Sequence, residues 1–241
     1  MTAAGALAGR TALVTGASRG IGAAVARRLA RDGARVALLA RTEAALQALA
    51  AEIGGGAVAI ACDIGRLGAA DVARAALADL GFDAPDVLVN NAGAFFVTPA
   101  HETSVEAFRD AIEVNLTAPF SFVRAFLPPM RRRGAGHIVT VGSIADRVAF
   151  PGNAAYAASK YGLRALHEVL RAELKGTGVR TSLVSPGPVD TPLWDTVDPT
   201  HRVGHTPRTD MLSPDAVADA VHYAVTAPAT VNVDELRLSR S

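Results

Sequence analysis

"TGASRGIG", residues 15–22, is the stretch whose reading decides the fold. It follows "TALVT" (11–15), a short β-rich apolar run, and opens a helix-period stretch at 20–32. Gly16, Gly20 and Gly22 fall at the strand-to-helix turn, with Ser18, Arg19 and Ile21 between them. Glycines there permit a tight turn and let backbone N–H groups reach a pyrophosphate at the helix N-terminus. A glycine-rich turn alone also has a purely structural reading. Its position after a first strand and before a helix makes it a phosphate loop, with the spacing G-x-x-x-G-x-G.

The same alternation runs outward along the chain. "RVALLA" (35–40), "AVAIA" (57–61), "DVLVN" (86–90), "HIVTVG" (137–142) and "RTSLVS" (180–185) read as further strands, and "DELRLS" (234–239) adds a seventh. Unbroken apolar character suits strands buried on both faces, as in a parallel sheet. Helix-period stretches lie between them at 42–52, 66–80, 104–131, 153–175 and 214–227. The pattern predicts a single α/β domain over 1–241, a Rossmann-type doubly wound parallel sheet of about seven strands with helices on both faces. No boundary, repeat or low-complexity linker divides it. Residues 186–213 break the rhythm with Pro186, Pro188, Pro192, Pro199 and Pro207. So long an irregular segment after a strand's carboxyl end predicts a substrate lid over about 188–212.

An NAD site of this kind places Asp or Glu at the end of the second strand to hold the ribose 2′-hydroxyl. Here Arg41 takes that position and Arg19 sits in the glycine loop. Each alone reads as a solvated surface arginine. Together they suit a 2′-phosphate, which guanidinium grips bidentately, so NADP(H) is favoured. Glu43, two residues on, keeps NAD(H) as an alternative. Asp63, after the third strand, either accepts from the adenine amine or caps the next helix.

"NAAYAASKYG" (153–162) sets Tyr156 and Lys160 four apart, hence on one helix face, while Tyr161 points elsewhere and reads as packing. An ammonium close to the phenol would lower its pKa and fit it for general acid–base work. Ser143, at the carboxyl end of "HIVTVGS", either holds a substrate oxygen or caps a turn. Pro119 lies four residues after Asn115 in a helical stretch. A proline gives no N–H to the carbonyl four back, which predicts a kink and a free Asn115 carbonyl, the acceptor a bound water wants.

"TGASRGIG", "NNAG" (90–93), Asn115, Ser143 and "YAASK" (156–160 with its preceding turn) occur in one order, and in this the chain resembles the short-chain dehydrogenase/reductase family over nearly its whole length. The resemblance implies that Tyr156 is the proton donor or acceptor and Ser143 positions the substrate oxygen. Lys160 then perturbs Tyr156 and holds the ribose hydroxyls, and Asn115 holds a relay water. It further implies that Asn90, Ala92 and Gly93 stabilise the sheet or face the cofactor, and that Pro186, Gly187, Val189 and Thr191 lie along the nicotinamide. Phe95, Ile144, Ala145, Phe150, Leu193 and Trp194 are the candidate substrate wall, and suit an uncharged, moderately hydrophobic ketone or aldehyde. Arg147 or Arg202 would equally admit a carboxylate. The C-terminus "VNVDELRLSRS" lacks the Gly-Gly ending of acyl-carrier-protein ketoreductases and is closer to the branch acting on 3-hydroxy acids and miscellaneous carbonyls. By resemblance alone, a homodimer or homotetramer forms on the helices at 104–131 and 153–175.

Bulk composition agrees. Half of the 241 residues are apolar, a fifth are charged and the net charge is +1. That affords a large core and gives no footprint for nucleic acid or an anionic membrane. Arg131–Arg133 read as a solvated helix end. Cys62, the only cysteine, allows no internal disulfide and reads as a small buried hydrophobe. No apolar run spans a bilayer and "MTAAGALAGR" lacks a signal-peptide core, so a cytoplasmic enzyme is expected. His201 and His205 have helical metal-pair spacing but no third ligand, so no metal is expected. The reading is an NADP(H)-dependent carbonyl reductase or alcohol dehydrogenase. The alternatives are a 3-oxoacyl thioester reductase or a catalytically idle NADP-binding sensor.

Overall fold

The computed structural model describes residues 5–81, 84–197 and 206–241. Seven strands form one parallel sheet: β1 (Thr11–Thr15), β2 (Arg35–Ala40), β3 (Val58–Ala61), β4 (Val87–Asn90), β5 (Gly136–Val141), β6 (Val179–Pro186) and β7 (Glu235–Leu238). Their order is β3-β2-β1-β4-β5-β6-β7, so the sheet reverses its winding between β1 and β4. The apolar runs are unbroken because alternate residues feed two cores. Ala12, Val14, Val36, Leu38, Val87 and Val89 face one side, and Leu13, Ala37, Leu39, Leu88 and Ile138 face the other.

The first core is covered by α1 (Gly20–Arg31), α2 (Glu43–Ile53) and α7 (Pro214–Thr226), through Val25, Leu29, Leu46, Val217 and Val221. The second is covered by α3 (Ala69–Asp79), α5 (Ala118–Arg133) and α6 (Ala154–Glu173), through Ala73, Phe122, Phe126, Met130 and Leu170. Local chemistry fixes several ends. The Ser213 hydroxyl accepts from the Ala216 N–H ahead of Pro214, and Gly134, at φ 66°, ends α5 after Arg131–Arg133 as the sequence predicts.

The long helix expected over 104–131 is two α-helices. α4 (Val105–Ile112) and α5 are joined by a π-helical turn over Glu113–Thr117, where the Ala118 N–H donates to the Glu113 carbonyl five residues back. Pro119 cannot complete the ordinary ladder, and the helix widens into a π turn just before it. The lid begins with a 3₁₀ turn at Pro192–Thr196 and ends with another at Arg208–Asp210. Its two ends are tied together where Val189 pairs with Leu212 and Asp190 N–H donates to Leu212 O at 2.9 Å. His201, Arg202 and His205 lie outside the described residues.

Candidate active site

A cleft of about 540 Å³ opens at the carboxyl edge of the sheet, over the reversal between β1 and β4. Gly16, Ser18, Arg19, Gly20, Ile21, Arg41, Asp63, Ala92, Gly93, Thr191, Tyr156 and Lys160 all line it, as does Leu193 from the lid. The loop after β1 can take its course only with glycine. Gly16 sits at φ +68°, and a Cβ on Gly22 would lie 2.3 Å from the Gly16 carbonyl. Arg19 precedes α1 with no side-chain cap, so the first turn of that helix keeps its N–H groups for an anion. Arg19 and Arg41 are both exposed at the cleft. Glu43, by contrast, accepts a bond from Gln47 at 2.9 Å. A cradle closed by glycine, a helix N-terminus and two guanidiniums at its outer end fits NADP(H).

Several expected cofactor residues act from behind the cleft wall. Gly22 packs α1 against its loop. Asn90 is buried at the end of β4, with its Nδ2 unpartnered among the described residues. It is the next residue, Asn91, that ties this strand end to β1, its Nδ2 donating to Thr15 O at 2.9 Å and its N–H to Thr15 Oγ1 at 3.0 Å. The reason is the strand's period of two: Asn90 still points into the sheet, and its neighbour is the first residue free to turn back. Pro186 ends β6, and Gly187 N–H donates to Leu238 O at 2.8 Å. Val189 is buried and its carbonyl takes the Trp194 indole N–H at 3.0 Å. Asp63 spends Oδ1 on Gly65 N–H at 3.1 Å while lining the cleft. Cys62 packs half-buried against the second core and also lines the cleft. Val141, Gly142, Ile64, Val114 and Pro192 also line it, and no local signal marked them.

The candidate catalytic groups converge from three elements. Ser143 begins the turn after β5, its Oγ accepting from Ala145 N–H at 3.1 Å, and its hydroxyl pulls the Tyr156 pKa down. The cap reading of Ser143 is thus met. Asn115 is wholly buried. Its Nδ2 donates to Ala94 O at 2.9 Å and to Ser159 Oγ at 3.0 Å, and its Oδ1 accepts from Ala94 N–H at 2.8 Å. Ser159 Oγ in turn donates to Tyr156 O at 2.6 Å. The Asn115 side chain therefore fastens the loop after β4 to the turn of α6 that bears Tyr156. Lys160 is buried, donates to Val141 O at 3.1 Å, and its Nζ stands 5.6 Å from the Tyr156 ring centre. Tyr161 is exposed and off this face, so it does not pack within the chain as expected.

The electrostatics correct one expectation. Burial pushes Tyr156 up to about 12, against a pull down by the Ser143 hydroxyl and with a further push from Asp146. Burial likewise brings Lys160 down to about 8, opposed by Asp146. Helical spacing places the ammonium 5.6 Å from the phenol ring centre, but burial sets the direction of the shift, and at neutral pH Tyr156 carries its proton. Arg147 is also not free for a substrate carboxylate. Its Nε bonds Asp146 Oδ1 at 3.1 Å and its far nitrogen pairs with Glu235 on β7.

Of the substrate wall, Phe95 meets Tyr156 edge-on at 4.8 Å between ring centres and Trp194 at 5.1 Å. Ile144 is partly buried on the Ser143 turn, Ala145 is buried, and Phe150 is exposed. No cluster of three or more His, Cys, Asp or Glu side chains able to hold a metal occurs among the described residues. Nor, among them, is any helix long and apolar enough to cross a membrane.

The family model of the short chain dehydrogenases matches residues 10–202. The NADP-dependent 3-hydroxy acid dehydrogenase YdfG of Salmonella typhi is 35% identical over 231 residues, covering 94% of this chain and 93% of that protein. A metagenomic short-chain oxidoreductase solved in complex with NADP is 37% identical, with a TM-score of 0.82 over 98% of this chain and 99% of that one. The closed form of serine dehydrogenase complexed with NADP+ is 33% identical, with a TM-score of 0.86 over 95% and 94%.

Proposed function

Because the chain belongs to the short-chain dehydrogenase family, we propose that it is an NADP(H)-dependent oxidoreductase interconverting a carbonyl and a secondary alcohol, with Tyr156 as general acid and base. NADP(H) supplies the hydride. The glycine loop and the first turn of α1 hold its pyrophosphate, Arg19 and Arg41 hold the 2′-phosphate, and Lys160 faces its ribose.

The observation that carries this reading is that Tyr156 and Lys160 line one cleft together, the Lys160 Nζ 5.6 Å from the Tyr156 ring centre. Ser143 holds the substrate oxygen against the phenol. Tyr156, protonated at neutral pH, donates its proton to that oxygen as a carbonyl is reduced, and takes it back when an alcohol is oxidised. The Asn115 carbonyl, denied an N–H four residues on by Pro119, holds the water through which Lys160 exchanges protons with solvent.

The aromatic wall of Phe95 and Trp194 supports an uncharged, moderately hydrophobic ketone or aldehyde. The Arg147 pairing removes one of the two candidate cations for a substrate carboxylate and so weighs towards a neutral substrate. A dimer or tetramer on α4–α6 is supported by exposed Phe120, Tyr161 and Val169 on those helices. NADPH oxidation measured with a panel of neutral ketones, aldehydes and 3-oxo acids tests the proposal. Turnover confined to neutral carbonyls is expected. Tight NADPH binding without turnover of any carbonyl would transfer the argument to an NADP-binding sensor.

A further inference from the structure

Three residues beyond Ser143, on the same short turn, lies a carboxylate that the proton chemistry above does not use. Asp146 is 0% exposed. A carboxylate so placed must have partners, and it has two. Ser185 Oγ, at the end of β6, donates to its Oδ2 at 2.5 Å, and Arg147 Nε donates to its Oδ1 at 3.1 Å. Arg147 carries the link on to Glu235 of β7. The bond to Ser185 reaches across the edge of the sheet, from the turn that bears the substrate-binding hydroxyl to the strand end that runs into Pro186 and Gly187. The backbone beneath leaves room for it: a Cβ on Gly142 would stand 2.7 Å from Ser185 Oγ and 3.1 Å from Asp146 Oδ2.

We infer that Asp146 is a positioning residue for the reaction: it clamps the Ser143 turn to the 185–187 segment and sets a fixed negative charge beneath that turn. The inference rests on Tyr156 being the proton carrier. Two features separate this role from plain structural support. The Asp146 charge bears on both Tyr156 and Lys160, raising the proton affinity of each. The charged groups that meet it are also few: Arg147 beside it, Glu235 behind Arg147 on β7, and Lys160 on α6, with Ser185 the neutral donor from β6. One guanidinium is shared between two carboxylates, so the pair is not neutralised locally and its negative field extends to α6.

The test uses the full chain labelled with ¹³Cζ-tyrosine, in which Tyr156 stands beside only Tyr161 and Tyr223 and is assigned by Tyr156→Phe. Asp146→Asn removes the charge and keeps the shape. Its Tyr156 midpoint is expected below that of the wild type, and the alkaline limb of kcat/KM for ketone reduction with NADPH moves the same way. Ser185→Ala keeps the charge and breaks the clamp. It is expected to lower kcat with little change in the KM for NADPH and to leave the Tyr156 midpoint in place. Identical Tyr156 titrations in wild type and Asp146→Asn would overturn the inference. Should Asp146→Asn fail to fold, full wild-type kcat in Ser185→Ala would overturn it as well. If the wild type turns over no carbonyl, the functional reading fails, while the tyrosine midpoints still decide the role of Asp146.

Discussion

Replacing Arg41 by alanine separates the part of the cleft that selects the cofactor from the part that does the chemistry. Arg41 follows β2 at an exposed position and makes no ion pair among the described residues, so its removal should change stability by no more than about 0.5 kcal/mol. A guanidinium bonded to a phosphate is a charge-assisted pair contributing roughly 1.5–3 kcal/mol. Exposure puts Arg41 at the low end of that range, because water and salt screen it. Since about 1.4 kcal/mol is tenfold, Arg41→Ala should weaken NADPH binding about tenfold. NADH has no 2′-phosphate and should bind as before. Arg19→Ala should behave alike, and the double variant should lose about a hundredfold if the two act independently. The assay is a fluorescence titration of NADPH and of NADH onto each variant, which requires no substrate. It is repeated near 1 M salt, where the screening length falls to about 3 Å. Wild-type affinity for NADPH should drop with salt more steeply than that of either variant. Equal weakening of NADPH and NADH in Arg41→Ala, or none, would refute the assignment of this corner to a 2′-phosphate.

Two further outcomes follow from the same geometry. His137 is buried in β5, with Nε2 at 2.8 Å from Ser182 Oγ. That hydroxyl already donates to Val233 O, so it accepts from an Nε2–H. Burial, with the Arg180 and Arg10 charges, lowers its pKa from 6.5 to about 3. The unfolded chain therefore binds the extra proton throughout that window. Stability is complete above about pH 6.5 and lost as pH falls towards 3, by about 2 kcal/mol already at pH 5. Urea unfolding at pH 7 and pH 5 checks this, and His137→Gln should flatten the slope. Arg208 bonds Asp190 and Asp195 at 2.6 and 2.5 Å and Thr191 O at 3.2 Å, which ties the two ends of the lid. Arg208→Ala should raise the KM of the best ketone several-fold with kcat and thermal midpoint nearly unchanged, and an unaltered KM would deny the clasp a role in substrate binding.

The sheet was readable because each strand is a short apolar run and each helix carries its own punctuation, from the glycine loop at 16–22 to Pro214 at the start of α7. Asn115, Ser143, Tyr156 and Lys160 were legible for a related reason. Helical period joins Tyr156 to Lys160, and strand ends deliver Ser143 and the phosphate loop to one edge. Burial was not legible. Spacing says that Lys160 stands near Tyr156, but not how strongly burial desolvates the phenol, and burial reverses the direction expected for Tyr156. Long-range pairing was equally hidden. Nothing local shows that Arg147 is committed to Asp146 and Glu235, that Arg208 closes the lid on Asp190 and Asp195, or that Asn91 and not Asn90 returns to Thr15. The break near Asn115 was half visible. Pro119 announces that the ladder must fail, while the form of the failure, a π turn over Glu113–Thr117, depends on how α4 and α5 pack.

The central claim is that Tyr156 carries the proton of a hydride transfer in the cleft it shares with Lys160. Its most direct test is NADPH oxidation by wild type and Tyr156→Phe with the same ketone, alongside NADPH titration of both. Loss of the hydroxyl should reduce turnover by roughly 10²–10⁴-fold while NADPH binds as before. Turnover by Tyr156→Phe at the wild-type rate would contradict the account.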